Sequence, residues 1–132
     1  MTNSFITNDE YFNDMIIQFP LLKTKMIEED PELIHMRMEC FANYTIEQIK
    51  NENIVELEKC FSFQETKIDL MNSDLKNALV VSYCESLLLG KCAEKMKTLA
   101  YLLPSKLKII YTDYEKWYND LIKKLERGDI KI

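Results

Sequence analysis

Asp74-Leu75-Lys76-Asn77-Ala78-Leu79-Val80-Val81-Ser82-Tyr83-Cys84-Glu85-Ser86-Leu87-Leu88-Leu89 is the stretch on which the fold turns. No glycine or proline interrupts it. Its apolar side chains (Leu75, Ala78, Leu79, Val80, Val81, Tyr83, Cys84, Leu87 and Leu88) cover most of a helical circumference. A helix that is apolar all round is a buried one, so 74–89 is expected at the centre of the molecule. Asn72-Ser73-Asp74 offers the start, and Gly90 suits the left-handed position that closes a helix.

Helical patterns flank this stretch on both sides. Thr7 and Glu10 form a capping box that opens a helix from about Asn8 to Phe19, which Pro20 ends. Pro20 can open a short helix over 21–29. Asp30 as cap and Pro31 at the first helical position predict a third helix reaching Lys50. Ile34, Met38, Phe41, Thr45 and Gln48 share one of its faces, beside His35, Ala42 and Ile49. Asn53 with Glu56 repeats the capping logic for a fourth helix carrying Leu57, Phe61 and Ile68. A sixth segment runs from Lys91 to Leu103. The last helix runs from Pro104-Ser105 to about Arg127, with Gly128 as terminator. Its stripe of Leu107, Ile110, Tyr111, Tyr114, Trp117, Leu121 and Leu125 is the cleanest in the chain and is expected to be core, with tyrosine hydroxyls at the rim. The breaks are short, as antiparallel neighbours require. The expected fold is all-α: one domain over 1–132, an antiparallel bundle of five to seven helices.

Composition excludes several classes. Two glycines and three prolines in 132 residues leave no glycine-rich phosphate loop and too few turn residues for a hairpin-rich sheet. The net charge of −5 argues against nucleic-acid binding. Residues 1–65 carry 13 acids against 5 bases, and residues 66–132 carry 9 against 12, so one half is acidic. Such a half favours encounter with a basic protein. Cys40, Cys60, Cys84 and Cys92 lack C-x-x-C spacing and a second histidine, which leaves no zinc pattern and suggests four reduced thiols. The opening Met-Thr-Asn-Ser-Phe-Ile has no basic segment followed by an apolar run, and apolar runs stop at five residues. A soluble, cytoplasmic protein is therefore expected, without membrane contact and with no cofactor implied.

Few residues carry candidate chemistry. His35 is the only histidine, and Glu39 lies four residues on. Two ligands do not make a metal site, and a lone histidine needs an orienting acid and a nucleophile. Glu85 is a carboxylate inside the central apolar run, where burial requires a partner. Arg37, one of two arginines, His35, and the hydroxyls of Tyr44 or Tyr111 are the candidates. A structural polar network of His35, Arg37, Asn77 and Glu85 outweighs a catalytic reading, because buried ion networks form without doing chemistry. Glu28, Glu29, Asp30 and Glu32 form an acidic corner that could dock the Lys or Arg of a partner, or serve simply as a solvated turn.

Gln18-Phe19-Pro20-Leu21-Leu22, His35-Met36-Arg37-Met38 with Phe41-Ala42, Asn77-Ala78-Leu79 leading to Glu85, and Leu103-Pro104 together resemble a family of small uncharacterised bacterial all-helical proteins. The hallmark is Asn-Ala-Leu followed by a hydrophobic stretch ending in Glu. The likeness covers about residues 10–108, and Cys84 departs from the bulkier aliphatic residue of that place. In size and architecture such proteins resemble immunity proteins encoded beside bacterial toxins. The resemblance implies that Asn77 and Glu85 are structural and that the binding face lies elsewhere. The leading expectation is a non-enzymatic protein-binding module whose acidic surface occludes a basic partner such as a toxin domain. One alternative is an enzyme or small-molecule binder with a pocket at Glu85, Arg37 and His35. The other is a helical subunit of a larger assembly or homo-oligomer, with the aromatics of the last helix as interface.

Overall fold

The computed structural model describes residues 5–128. Among the described residues eight α-helices follow one another: α1 (Asn8–Gln18), α2 (Lys23–Glu28), α3 (Ile34–Lys50), α4 (Ile54–Lys67), α5 (Ser73–Ala78), α6 (Glu85–Leu89), α7 (Ala93–Leu99) and α8 (Ser105–Glu126). Short 3-10 turns precede α2 and follow α4 and α7, and no strand occurs among the described residues. A π-helical segment, Leu79–Cys84, joins α5 to α6 without a break, so 73–89 is one continuous rod. The buried apolar residues among those described form one cluster.

The starts and stops follow from local chemistry where that chemistry is unambiguous. Thr7 accepts from the Glu10 amide and Glu10 accepts from the Thr7 amide, closing the capping box. Asn72 caps the rod through the Leu75 amide at 2.8 Å. Gly128 ends α8 at φ 74°, a backbone that only glycine adopts freely.

Three starts or stops differ from expectation. The third helix begins at Ile34 rather than Pro31, because Asp30 spends its carboxylate on the Glu32 amide and its carbonyl on the Leu33 amide, which makes a turn. Asn53 does not cap α4; its amide donates to Gln48, and Glu56 instead accepts from the Tyr44 hydroxyl. Gly90 is not left-handed but extended, at φ −76° and ψ −174°. Its role is close approach, since a Cβ there would collide with the Ser86 carbonyl oxygen. Gly90→Ala should therefore destabilise the fold by about 1–3 kcal/mol, the usual range for overpacking. A thermal melt would check this, and an unchanged midpoint would contradict the packing.

The rod is not alone at the centre. α3 is the element that meets most others: α2, α4, α5, the π segment, α6 and α7. Its Ile34, Met38, Phe41, Ala42, Thr45, Ile46 and Ile49 are buried. The rod lies against α3 on one side and meets α8 along the π segment. Its remaining side is open: Lys76 and Asn77 are exposed, and so, in part, are Val81 (38%) and Leu89 (42%). The expectation of a rod shielded all round thus fails on one stripe.

Aromatic rings fill the space between α3 and its neighbours. The Phe41 ring centre lies 5.1 Å from Phe19, 5.7 Å from Phe63 and 5.3 Å from Tyr83, contacts of the tilted, edge-on and stacked kinds. Three polar residues are buried with them, Thr45, Gln64 and Ser82, and each has a hydrogen-bond partner, as burial demands. Tyr11 donates to Gln64, tying α1 to α4. Thr45 uses its single proton on the Phe41 carbonyl at 2.9 Å, so the Tyr83 hydroxyl donates to Thr45, also at 2.9 Å.

Candidate functional site

The four residues expected to form one polar network occupy separate places. His35 Nδ1 meets the Ser82 hydroxyl at 2.7 Å, which joins α3 to the π segment. Ser82 also receives the Ser86 hydroxyl on its backbone carbonyl. Arg37 donates to the Glu29 carbonyl at 3.3 Å and stacks over the Phe12 ring, while its Nε is buried without a hydrogen-bond partner among the described residues. Glu85 accepts from the Tyr114 hydroxyl of α8 at 2.7 Å. Tyr114 lies one helical turn beyond Tyr111, one of the two candidate hydroxyls, and the other candidate, Tyr44, serves Glu56. Asn77 faces outward. These bonds are fastenings between helices: α3 to rod at Ser82 and Tyr83, rod to α8 at Glu85.

The His35–Ser82 spacing is that of a base and a nucleophile. A reacting group must also reach the hydroxyl, and Ser82 is only 4% exposed. Neither residue lines the groove between α2 and α3 or the cleft between α7 and α8. No group of three or more His, Cys, Asp or Glu is placed to hold a metal among the described residues. Glu39, the other half of the His35 pair, is exposed. All four cysteines are free thiols. Burial pushes Cys60 and Cys84 up to about 12, so neither is a nucleophile near neutral pH.

The acidic corner has a different character. Glu28, Asp30 and Glu32 are exposed and Glu29 is half-buried. Among them stand apolar side chains that face water: Ile27 (64% exposed), Leu33 (51%) and Met36. Glu32 and Pro31 share a shallow depression with Thr7, Asn8, Asp9 and Asn72, so the acids of the 28–32 turn adjoin those at the start of α1.

A domain family matches residues 12–119, from early α1 to the middle of α8: Domain of unknown function (DUF7674). The chain belongs to that family. No curated protein and no solved structure matches it. The DUF7674 match spans the acidic corner, α3 and the whole rod, and stops inside α8. No helix of this DUF7674 chain, among the described residues, is long and apolar enough to cross a membrane.

Two positions of the DUF7674 chain escaped sequence reasoning. Glu65 of α4 accepts from the amides of Lys106 and Leu107 at 3.0 and 2.8 Å, capping α8 from 41 residues away. A carboxylate suits the positive end of a helix, but only the fold reveals which one arrives. The α8 stripe is the other. Leu107 and Tyr111 are buried and Tyr114 is half-buried, as a core stripe requires, yet Trp117 is 57% exposed. Beyond it Leu121, Ile122 and Leu125 are half-buried and lie outside the core cluster.

Proposed function

We propose that the chain is a non-enzymatic protein-binding module whose acidic corner at 27–36 covers a basic surface of a partner. An immunity protein that occludes a bacterial toxin domain fits this reading. The observation that carries it is the mixture at the corner: exposed Ile27, Leu33 and Met36 framed by Glu28, Asp30 and Glu32. Apolar side chains supply contact area on binding, and the surrounding acids steer and select a cationic partner. The enzymatic alternative at His35, Arg37 and Glu85 has less support, because those residues fasten helices and do not converge on a cavity.

The test is a comparison of two immobilised chains, the wild type and a Glu28→Lys, Asp30→Lys, Glu32→Lys variant, against extract of the native host. A basic protein should be held by the wild type, released by added salt, and bound on the order of 100-fold more weakly by the variant, at about a kcal/mol per reversed charge. Equal retention by both chains, with the variant folded by circular dichroism, would refute the assignment.

A further inference from the structure

We infer that the cleft between α7 and α8 binds a free α-amino acid with a compact apolar side chain. The first observation is Tyr111. The residue is 3% exposed, yet its hydroxyl makes no hydrogen bond among the described residues. A buried tyrosine normally finds a partner for that group. The oxygen is not sealed inside the core, so it opens on the cleft that Tyr111 lines. Burial, and after it the Glu115 carboxylate, push the hydroxyl up to about 12, so it keeps its proton at neutral pH. The cleft holds about 170 Å3, well below the roughly 300–1,000 Å3 of sites for larger ligands. Ala100 and Leu103 give it an apolar lining.

The charges around that hydroxyl define the class of ligand. Lys108, Tyr111, Thr112 and Glu115 share one face of α8, and Lys97 lines the cleft from α7. Neither Lys108 nor Glu115 has an ion-pair partner among the described residues, and Lys97 is held only by Glu94, which is almost fully exposed. Lys108 and Glu115 stand two helical turns apart, about 10 Å along the axis, which keeps them separate. A simple anion is drawn to the lysines and repelled by Glu115, and a simple cation meets the reverse. A zwitterion satisfies both ends. Its carboxylate takes the ammonium groups of Lys97 and Lys108. Its ammonium takes Glu115 and the Thr112 oxygen, whose own proton is spent on backbone carbonyls of α8 and which therefore only accepts. The Tyr111 hydroxyl, between the two ends, donates to the ligand carboxylate, and the ligand side chain lies on Ala100 and Leu103. This cleft is separate from the acidic corner, and the inference does not depend on the partner proposed there.

Isothermal titration of the full chain with L-leucine should give a saturable heat, and leucine should raise the melting midpoint. Glycine, isocaproate and isoamylamine lack the side chain, the ammonium and the carboxylate in turn. Each should bind at least about tenfold more weakly, the size of one charge-assisted hydrogen bond. Tyr111→Phe removes a hydroxyl that no other described residue uses. Its melt without leucine should stay unchanged while leucine binding weakens several-fold. Glu115→Gln should weaken leucine about tenfold and strengthen isocaproate, a reversal that a merely distorted cleft does not produce. Absence of leucine binding by the folded wild type overturns the inference. So does isocaproate bound as tightly as leucine, which would make the cleft a plain anion site. Leucine binding that stays unchanged in both Tyr111→Phe and Glu115→Gln overturns it as well.

Discussion

Replacing Phe41 with alanine is expected to lower the free energy of unfolding by about 3–5 kcal/mol. The ring is fully buried and sits between Phe19, Phe63 and Tyr83. These neighbours come from three different parts of the chain, so no local shift of one helix can close the void. Cavities that cannot collapse are the expensive ones. A domain of this size has about 5–15 kcal/mol in total, so the variant should unfold at a much lower urea concentration with an unchanged slope. A loss below about 1 kcal/mol would mean that the cluster is loosely packed and that α3 is not the hub described above.

Raising the pH should unfold the protein cooperatively. Burial raises the hydroxyls of Tyr11, Tyr44 and Tyr83 well above the ordinary tyrosine range, and moves Tyr111 and Tyr114 up to about 12. The thiols of Cys60 and Cys84 also stand at about 12. Each of these groups is neutral in the folded chain. In the unfolded chain the thiols lose protons near pH 8.5 and the tyrosines near pH 10. Above those values the unfolded state binds fewer protons than the native state, so stability falls as pH rises. The stabilisation is complete below about pH 8 and is lost through pH 12 as the folded values are reached. The part of the tyrosinate absorbance that these five residues contribute should thus lag behind free tyrosine and then rise in one step that coincides with loss of helical circular dichroism. Gradual ionisation of all seven tyrosines near pH 10, without unfolding, would contradict the buried positions of Tyr11 and Tyr83.

Elements set by neighbours in the chain were legible from residues alone. The Thr7–Glu10 box, the stop at Pro20, the start after Pro104 and the left-handed Gly128 all depend on a few adjacent atoms, and all four stand in the structure. The start of α3 was misjudged because Asp30 can cap a helix or close a turn with equal chemistry, and the hydrogen bond to Glu32 decides it. Hydropathy counts apolar residues and not what covers them. For that reason it overstated the burial of the rod at Val81 and Leu89, and of α8 at Trp117. Polar partners were least legible. Glu85 was recognised as needing one, but choosing Tyr114 over Tyr111 requires the angle between the rod and α8. Glu65 requires the position of α8 relative to α4.

The wide turn at Leu79–Cys84 holds its carbonyls five residues from their donors instead of four. It therefore accommodates about one residue more than regular winding over the same rise. Everything beyond it is rotated by roughly 100° relative to an uninterrupted helix. At its far end Tyr83 meets Thr45 of α3, and Glu85, two residues later, meets Tyr114 of α8. The widened turn acts as a phase adapter. It sets the phase of Glu85 and Leu87 relative to Leu75 and Ala78, so the side of the rod that is offered to the last helix depends on a single surplus residue.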